Sequence, residues 1–385
     1  MAVPGDPYDA SLRDLYALAA SQLPADARWF DAHTHTGSHD PDGFAATAAE
    51  IVAGLDRGGH SQALVFALQE PGGYPAANDR VLAEAASSGG RLLAIARLDP
   101  NARTQTGDPE APVEARRCLD AGAVGLKLHP RAENFELSNP VVSEIVALAH
   151  ERRLPVIIHA GRGIPSLGRD AVVLAQRFPD ARLILAHAGI SDLAWIWREA
   201  AGAPNLFFDT AWWNVADLRT LFALVPPGQI LYGSDMPYGS ALFCGLCTLR
   251  VGLAVGLTPA VLAQIVGGQL ARLLAGEPGA DLGPPPRSDG PAPGLAAERA
   301  VQHLAAAISR AFVRADAREP LALARLACDV PLDDPERPLL VQVQRLIVLA
   351  EAAYQQMPTR PAAVLLPAVG AALVAGTPQV PVPAV

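Results

Sequence analysis

The chain has 385 residues, of which 50% are hydrophobic and 18% are charged, so it is long enough to bury one large core. Its formal net charge of −9 argues against nucleic acid or an anionic membrane as a partner, because neither attracts an acidic surface. Residues 1–30 contain Asp6 and Asp9 and no continuous apolar run, which argues against a secretory signal. We therefore expect a cytoplasmic protein that acts on a small-molecule substrate, without a membrane partner.

Eight short apolar runs, separated by helical stretches, follow one another between Trp29 and about Tyr238. They are WFDAHTH (29–35), QALVFAL (62–68), RLLAIARL (91–98), AVGLKLH (123–129), PVIIHAG (155–161), RLILAHAG (182–189), NLFFDTA (205–211) and ILYGSD (230–235). Predicted helices between them include residues 139–153, with Asn139 as the N-cap. Eight strand-helix units in about 250 residues indicate an α/β protein with a closed (β/α)8 TIM barrel. An open doubly wound sheet is the alternative, but its Gly-rich phosphate loop is replaced here by His-Thr-His.

The composition changes near Gly276, after a predicted barrel of residues 1–275. Residues 276–294 are rich in Pro, Gly and Asp and are predicted to be a linker. Apolar residues then recur at helical spacing up to Phe312, and a second helix is expected from Asp334 to about Gln356. Residues 295–385 are therefore a predicted α-helical appendage with a Pro/Ala/Val-rich tail. Its apolar faces need either the barrel or a second subunit, so a homo-oligomer is one alternative.

Metal-binding and acid/base side chains stand at the carboxyl ends of the predicted strands. They are His33, His35, Lys127, His129, His159, His187 and Asp235. Residues two apart on a strand point the same way, and a barrel gathers the carboxyl ends of its strands at one catalytic face. Imidazole and carboxylate groups are preferred ligands of catalytic divalent cations. Since strands one and eight are neighbours in a closed barrel, we predict that His33, His35 and Asp235 share a metal ion.

The motifs D-A-H-T-H, G-L-K-L-H-P, I-I-H-A-G, L-A-H-A-G and Y-G-S-D-M-P resemble those of the amidohydrolase superfamily, over roughly residues 28–275. The closest likeness is to its amidohydrolase-related (amidohydrolase 2) branch, which also contains nonoxidative decarboxylases. The resemblance implies that His33, His35, His159 and Asp235 hold one metal ion, most often Zn²⁺. It also implies that His187 acts beside the bound water. Mn²⁺ or a two-metal site are the alternatives for the cofactor.

A metal-bound water reaches a pKa near 7 and becomes a nucleophile without a strong protein base. Asp235 can bind the metal and accept a proton, while His187 can polarise a carbonyl or protonate a leaving group. The sequence therefore predicts a metal-dependent hydrolase that cleaves a C–N or C–O bond. A decarboxylase of an unsaturated or aromatic carboxylic acid is the alternative, because the same site can protonate a carbon while carbon dioxide leaves. A barrel that binds a ligand without turnover is a third reading.

Lys127 is the only lysine among 30 Lys and Arg residues. We interpret it as a catalytic amine that faces a substrate carboxylate or pairs with an acid. A carboxylated lysine bridging two metals, as in some branches of the superfamily, and a structural lysine are the alternatives. Further candidates for substrate binding follow the site strands, and they are His129, Arg162, Trp212 with its neighbour Trp213, and His39.

Overall fold

The computed structural model describes residues 7–161, 163–164, 167–288, 290–356 and 361–384. In these residues, short parallel strands alternate with helices. The strands are β1 (Phe30–Thr36), β2 (Gln62–Ala67), β3 (Leu92–Ala94), β4 (Ala96–Leu98), β5 (Leu126–Leu128), β6 (Pro155–Ile158), β7 (Arg182–Leu185), β8 (Leu206–Asp209) and β9 (Ile230–Leu231). The helices up to the end of the barrel are α1 (Pro7–Ala20), α2 (Ala48–Gly58), α3 (Pro75–Ser87), α4 (Ala111–Asp120), α5 (Pro140–Arg152), α6 (Leu167–Arg177), α7 (Leu193–Ala200), α8 (Val215–Leu224), α9 (Ala241–Ala254), α10 (Pro259–Ala263) and α11 (Gln269–Leu274).

The predicted third strand is interrupted at Ile95, which divides it into β3 and β4. The N–H of Ile95 donates to the carbonyl of Val65 at 2.9 Å, and the N–H of Ala96 donates to the carbonyl of Gly125 at 3.0 Å. The first bond attaches Ile95 to the β1–β2–β3 sheet, and the second attaches Ala96 to the β4–β9 sheet, so the two adjacent residues link the two sheets. β3 and β4 together therefore take the place of the third of the eight predicted strands.

The other seam of the barrel lies between β1 and the residues that follow β9. The N–H of Asp235 donates to the carbonyl of His33 at 2.9 Å, and the N–H of His35 donates to the carbonyl of Met236 at 2.8 Å. These hydrogen bonds join β1 to the segment that follows β9, where the predicted barrel closes. This seam carries three of the predicted site residues, so closure of the barrel is what positions them.

The inside of the barrel is filled by apolar side chains. Leu64, Ile157, Ile184, Phe207 and Leu231 belong to one buried cluster contributed by strands around the ring. Strands of a parallel sheet are apolar on both faces because helices cover the outside and this cluster fills the inside. The polar residues at the strand ends therefore sit on top of a packed core.

Helix α5 shows how local signals in the sequence set an element boundary. Asn139 accepts a hydrogen bond from the N–H of Val141 through its side chain, and Pro140 occupies the first turn. The side chain satisfies a donor that has no partner inside the helix, and proline loses nothing at this position. The predicted N-cap is confirmed. Helix α5 leads into β6, and the predicted site residue His159 follows directly after this strand.

The C-terminal appendage consists of α12 (Leu295–Phe312), α13 (Arg318–Ala327), α14 (Arg337–Gln356) and α15 (Pro361–Gly376). The structure describes neither helix nor strand in the predicted linker, residues 276–294, apart from residue 289, which lies outside the described part. Helix α15 occupies part of the predicted tail, where burial against α9, α12 and α14 stabilises an apolar helix that composition alone did not indicate. The division into separate domains stays a prediction, since one hydrophobic cluster runs through barrel and appendage. No helix in the described part of the chain is long and apolar enough to cross a bilayer.

Arg250 of α9 fastens the end of the chain to the barrel. Its fully buried guanidinium donates to the hydroxyl and the carbonyl of Thr377, both at 2.9 Å. It also donates to the carbonyls of Val380 at 3.2 Å and Pro381 at 3.0 Å. A buried cation is tolerated here because carbonyl oxygens satisfy its donors.

Candidate metal centre

Three ligand atoms converge at the seam between the first and last strands. His33 Nε2 lies 3.3 Å and His35 Nε2 lies 3.1 Å from Asp235 Oδ1. Within the described residues, these are the three side chains whose ligand atoms all lie within 4.8 Å of one another. Both imidazoles are buried, while the Asp235 side chain is 21% exposed. The cluster is therefore held inside the protein and reaches solvent on one side.

Asp209, the last residue of β8, fixes the orientation of His33. Its Oδ2 lies 2.7 Å from His33 Nδ1, and both side chains are fully buried. This contact implies that Nδ1–H donates to the carboxylate, which leaves a lone pair on Nε2 of the neutral ring. That lone pair faces Asp235 Oδ1, which is also an acceptor, so the two atoms repel unless a cation or a proton lies between them. The donor set therefore fits a divalent cation.

The charge state of the cluster leads to the same conclusion. Burial lowers the pKa of His33 and of His35 well below the usual range, and repulsion from Lys127 adds to both shifts. Burial raises the pKa of Asp235 well above its usual range, and the negative charge of Asp209 adds to it. A cation would offset these pKa shifts at Asp235 and stabilise the neutral imidazoles, because it attracts both the imidazole lone pairs and the ionised carboxylate.

His187 lies next to this cluster, with its Nδ1 3.9 Å from Asp235 Oδ2. Its Nδ1 is 2.7 Å from the carbonyl of Ala211, and its Nε2 is 2.9 Å from His159 Nδ1. Since a carbonyl can only accept, Nδ1 carries the proton of a neutral ring and Nε2 is the acceptor. His159 is thus bonded to His187 and lies outside the group of three converging ligand atoms. Its predicted role as the fourth ligand stays a prediction.

Lys127 is fully buried, and within the described residues its Nζ has no hydrogen-bond partner. The amine lies 4.6 Å from the centre of the Phe66 ring. Burial, together with repulsion from Arg97, lowers the pKa of Lys127 to about 7. The charged form is therefore less favoured than in an exposed lysine, and the amine still has hydrogen bonds to donate.

Arg97 on β4 is opposite Lys127 on β5 in the strand register, so the two side chains point to the same side of the sheet. Arg97 Nη2 lies 2.8 Å from Glu133 Oε1, and both side chains are almost completely buried. The guanidinium also donates to the carbonyl of Ala67 at 3.1 Å. Arg97 therefore has its own buried counter-ion, whereas Lys127 has hydrogen bonds available for an incoming anion.

Two of the four predicted substrate-binding residues lie beside the site histidines. The His129 ring stacks on His159 with 3.8 Å between ring centres, and its Nδ1 accepts from the N–H of Ala132 at 3.1 Å. The Trp212 ring centre is 6.1 Å from that of His187. Both side chains are half-buried at the mouth of the barrel.

The other two candidates are placed differently. His39 Nδ1 lies 2.8 Å from Glu70 Oε2, and the histidine side chain is 58% exposed. A carboxylate near the surface, rather than the buried cluster, is the partner of His39. Arg162 lies outside the described residues.

Sequence analysis missed several residues that support the site. Asp209 and Arg97 stand within two residues of the carboxyl ends of predicted strands, so the rule that selected Asp235 could have found both. Asp31 lies inside the first motif, and its Oδ1 accepts from the N–H groups of His33 at 3.0 Å and Ser234 at 2.9 Å. Glu133 carries no signal, because it lies in a loop and only the fold brings it to Arg97.

A model of the amidohydrolase family matches residues 30–268, which is more than half of the chain. A comparison with curated proteins gave no match. Among solved structures, a putative amidohydrolase from Staphylococcus aureus is 17% identical with a TM-score of 0.53, covering 64% of this chain and 99% of its own. The uncharacterised TIM-barrel protein Bb4693 from Bordetella bronchiseptica is 18% identical with a TM-score of 0.52, covering 65% and 99%. The 5-carboxyvanillate decarboxylase from Sphingomonas paucimobilis is 17% identical with a TM-score of 0.50, also covering 65% and 99%.

At these identities the likeness to solved structures shows the fold, and it confirms the predicted TIM barrel. The family match rests on the stretch of sequence that holds the strand-end histidines and Asp235. The chain therefore belongs to the amidohydrolase family of enzymes, as its motifs predicted.

Proposed function

We propose that this enzyme is a metal-dependent hydrolase that cleaves a C–N or C–O bond of a small, carboxylate-bearing molecule. The observation that carries the proposal is the convergence of His33 Nε2, His35 Nε2 and Asp235 Oδ1, where two lone-pair atoms face each other at 3.3 Å. Such a set is stable when a divalent cation lies between the ligands. We propose Zn²⁺ as the cation, because imidazoles and a carboxylate are the ligands of catalytic zinc.

His33, His35 and Asp235, with His159 as the proposed fourth ligand, would hold the zinc ion, which when bound would lower the pKa of a water molecule to about 7 and so make a nucleophile available at neutral pH. Asp209 prepares this arrangement, since its hydrogen bond to His33 keeps the ligand nitrogen free of a proton. The side of Asp235 that reaches solvent gives water and substrate a way to the cluster.

His187 is positioned to move a proton at the reacting bond. Burial lowers its pKa, so the ring is neutral near pH 7, with the proton on Nδ1 directed to the carbonyl of Ala211. Nε2 accepts a hydrogen bond from His159 in this structure, and when that bond is exchanged for one to water it can accept a proton and return it to the leaving nitrogen or oxygen. The charge formed on the ring during this step is stabilised by the nearby negative charge of Asp209, whose Oδ1 accepts from the backbone N–H of His187 at 2.8 Å.

Lys127 supports a substrate that carries a carboxylate. Its amine is buried, has no hydrogen-bond partner among the described residues, and lies on the same barrel as the ligand cluster. An anion that enters the site stabilises the protonated amine, so binding of the carboxylate and protonation of Lys127 reinforce each other. Glu133 does not compete strongly for this role, because it is paired with Arg97.

Decarboxylation is the second candidate, and the same buried amine favours it. A carboxylate held at Lys127 is removed from water, which favours its departure as neutral carbon dioxide. The electron pair left on carbon takes up a proton, which His187 or Lys127 can supply, so the net change is one proton consumed and one carbon dioxide released. A match to the fold of a decarboxylase agrees with this alternative but does not select it.

The metal proposal is tested by elemental analysis of protein purified without chelator. We expect about one zinc ion per chain in the wild type and loss of most of it in D235N and H33N. H150N is the matched control, because His150 lies on α5, contacts Asp180 and has no part in the cluster. Two ions per chain would favour the carboxylated Lys127, and a wild type that retains no divalent ion would overturn the proposal.

The reaction class is tested with a panel of small carboxylic acids, amides and lactones in water enriched in oxygen-18. Hydrolysis places the heavy oxygen in one product, whereas decarboxylation releases carbon dioxide and places no solvent oxygen in the remaining product. Chelator-treated protein and D235N provide the background. Release of carbon dioxide, with no solvent oxygen incorporated into the remaining product, would replace the hydrolase proposal with the decarboxylase.

A further inference from the structure

We propose that Tyr238 is a positioning residue for the metal centre, which holds the ring of His35 against Asp235 and links this ligand to the loop between β1 and α2. This loop, residues 37–46, is called the β1 loop below. Anchoring of the β1 loop and binding of the cation then favour each other. The inference rests on the proposed function for the cation, and it does not depend on which reaction follows.

The ring of His35 is held differently from the ring of His33. Nδ1 of His33 lies 2.7 Å from Asp209 Oδ2, and this contact fixes the ring. Nδ1 of His35 is buried and has no hydrogen-bond partner within the described residues. Most metal-ligating histidines are oriented by a hydrogen bond at the nitrogen that does not bind the metal. For His35, packing against neighbouring side chains takes over this task.

Two aromatic rings pack edge-to-face with His35. The Phe66 ring centre lies 4.4 Å away at an interplanar angle of 70°, and the Tyr238 ring centre lies 5.4 Å away at 85°. Pairs with this geometry are favourable. Phe66 belongs to the buried cluster inside the barrel. Tyr238 follows the ligand Asp235, and its N–H donates to the carbonyl of Asp235 at 2.7 Å. Tyr238 therefore contacts one ligand through its ring and another through its backbone.

The hydroxyl of Tyr238 connects the metal centre to the β1 loop. It donates to Oδ1 of Asp40, and both residues are half-buried. The other oxygen, Oδ2 of Asp40, accepts from the N–H groups of Asp42 at 2.9 Å and Phe44 at 3.2 Å. The Phe44 ring centre lies 4.7 Å from that of Tyr238. One carboxylate thus shapes the turn of the β1 loop and fastens this turn to Tyr238.

The base of the β1 loop is closed next to the ligand strand. The N–H of Gly37 donates to the carbonyl of Ala46 at 2.9 Å, and the N–H of Ala46 donates to the carbonyl of Gly37 at 3.0 Å. Gly37 has a φ of 131°, which favours glycine, and it follows His35 by two residues. The loop therefore starts beside His35 and returns to the same ligand through Tyr238. If anchoring of the loop raises metal affinity by some factor, the metal must strengthen the anchoring by the same factor.

The experiment measures zinc affinity by chelator competition, and amide hydrogen exchange of the β1 loop with and without zinc, on the full-length protein. Y238L removes the ring and the hydroxyl, and we expect it to bind zinc about tenfold more weakly. Y238F keeps the ring but loses the link to Asp40, so a loss of about threefold is expected. Y354F is the matched control, because it removes the same group from a tyrosine–aspartate pair of the appendage, where the Tyr354 hydroxyl donates to Asp316 Oδ1 at 3.2 Å.

Hydrogen exchange distinguishes this coupling from a general loss of stability. In wild type we expect zinc to slow exchange in the β1 loop, and Y238F should lose most of this slowing. A purely structural role of the hydroxyl would speed exchange equally with and without zinc. Circular dichroism checks folding, and if Y238L does not fold, the zinc affinity and loop exchange of Y238F decide the question.

The outcomes separate this inference from the proposed function. Zinc affinity that depends on Tyr238, in an enzyme that releases carbon dioxide without hydrolysis, supports the inference and contradicts the proposed reaction. Hydrolysis by an enzyme whose Y238L and Y238F variants bind zinc within about twofold of wild type overturns the inference alone. Equal slowing of loop exchange by zinc in Y238F and wild type also overturns it. A wild type that binds no zinc overturns both the inference and the metal-dependent function.

Discussion

Replacing Asp209 by asparagine tests whether the protein presets the tautomer of a metal-ligating histidine. Oδ1 of Asp209 accepts from the N–H groups of His187 at 2.8 Å and Ala211 at 3.1 Å, while Oδ2 faces His33 Nδ1 at 2.7 Å. In D209N the two backbone donors retain the amide oxygen, so the amide NH2 must face His33. An NH2 group donates to Nδ1, which moves the ring proton to Nε2 and removes the lone pair that faces Asp235.

The expected loss of metal affinity follows from this change. Removing the carboxylate partner of a ligating histidine costs about 10- to 100-fold in affinity, which corresponds to about 1.4 to 2.8 kcal/mol. The upper part of this range is expected, because the His33 and Asp209 side chains are fully buried and water cannot replace the lost contact. Before the imidazole can bind the cation, its proton must move from Nε2 back to Nδ1, and this step costs free energy.

The assay is competition for zinc with a chromophoric chelator at pH 8, with circular dichroism as a check of folding. D31N is the matched control, since Asp31 is an equally buried carboxylate on β1 whose Oδ1 accepts from the backbone N–H groups of His33 and Ser234. We expect D31N to stay within about threefold of wild type. Equal losses in D31N and D209N would refute the tautomer argument and leave only an effect of negative charge.

Three further predictions concern other buried polar groups. Because burial lowers the pKa of Lys127 to about 7, wild-type affinity for a carboxylate should fall as pH rises through 7, and K127M should bind about tenfold more weakly with a flat pH profile in calorimetric titrations. Burial lowers the pKa of His60 to about 3, so its contribution to stability is present above about pH 6.5 and is lost as pH falls toward 3; H60Q should reduce the slope of unfolding free energy by up to about 1.4 kcal/mol per pH unit. Parallel curves for H60Q and wild type in urea titrations would contradict this. R250M should lower the unfolding free energy by about 3 kcal/mol and expose the C-terminal tail to protease, whereas R272M, which breaks an exposed ion pair, should change it by less than about 1 kcal/mol.

Much of the site could be predicted because strand periodicity is a local property. His33 and His35 stand two residues apart, and alternation along a strand is enough to place them on one side. Asp235 was assigned to the same ion from the closure rule for barrels, and its Oδ1 lies 3.1 Å from His35 Nε2 across 200 positions of sequence. Regular secondary structure and closed topology therefore account for the three converging atoms.

The residues that were missed depend on side-chain contacts between elements. Glu133 is the counter-ion of Arg97, but nothing near Glu133 in sequence indicates a buried acid. Trp213 contacts Phe312 because tertiary packing brings the end of α12 to the loop after β8, and no local pattern specifies that contact. His159 has several imidazole neighbours, and the spacing of residues in the sequence does not indicate that its hydrogen-bond partner is His187. Such contacts arise from tertiary packing, so their prediction needs coordinates.

Two functional residues have an unusual backbone conformation that the sequence pattern does not predict. Asp235 and His187 both adopt left-handed conformations, each with a φ of 57°, although neither is glycine. A non-glycine residue in this region costs about 1 kcal/mol or more, so the surrounding contacts must offset it. At Asp235 the N–H bond to the His33 carbonyl does so, and at His187 the bond to Asp209 does so. Asp209 also contacts His33 Nδ1, so the strained backbone at each functional residue is hydrogen-bonded either to His33 or to the residue that orients His33. The contacts that close the barrel at this seam therefore also hold the ligand cluster in place.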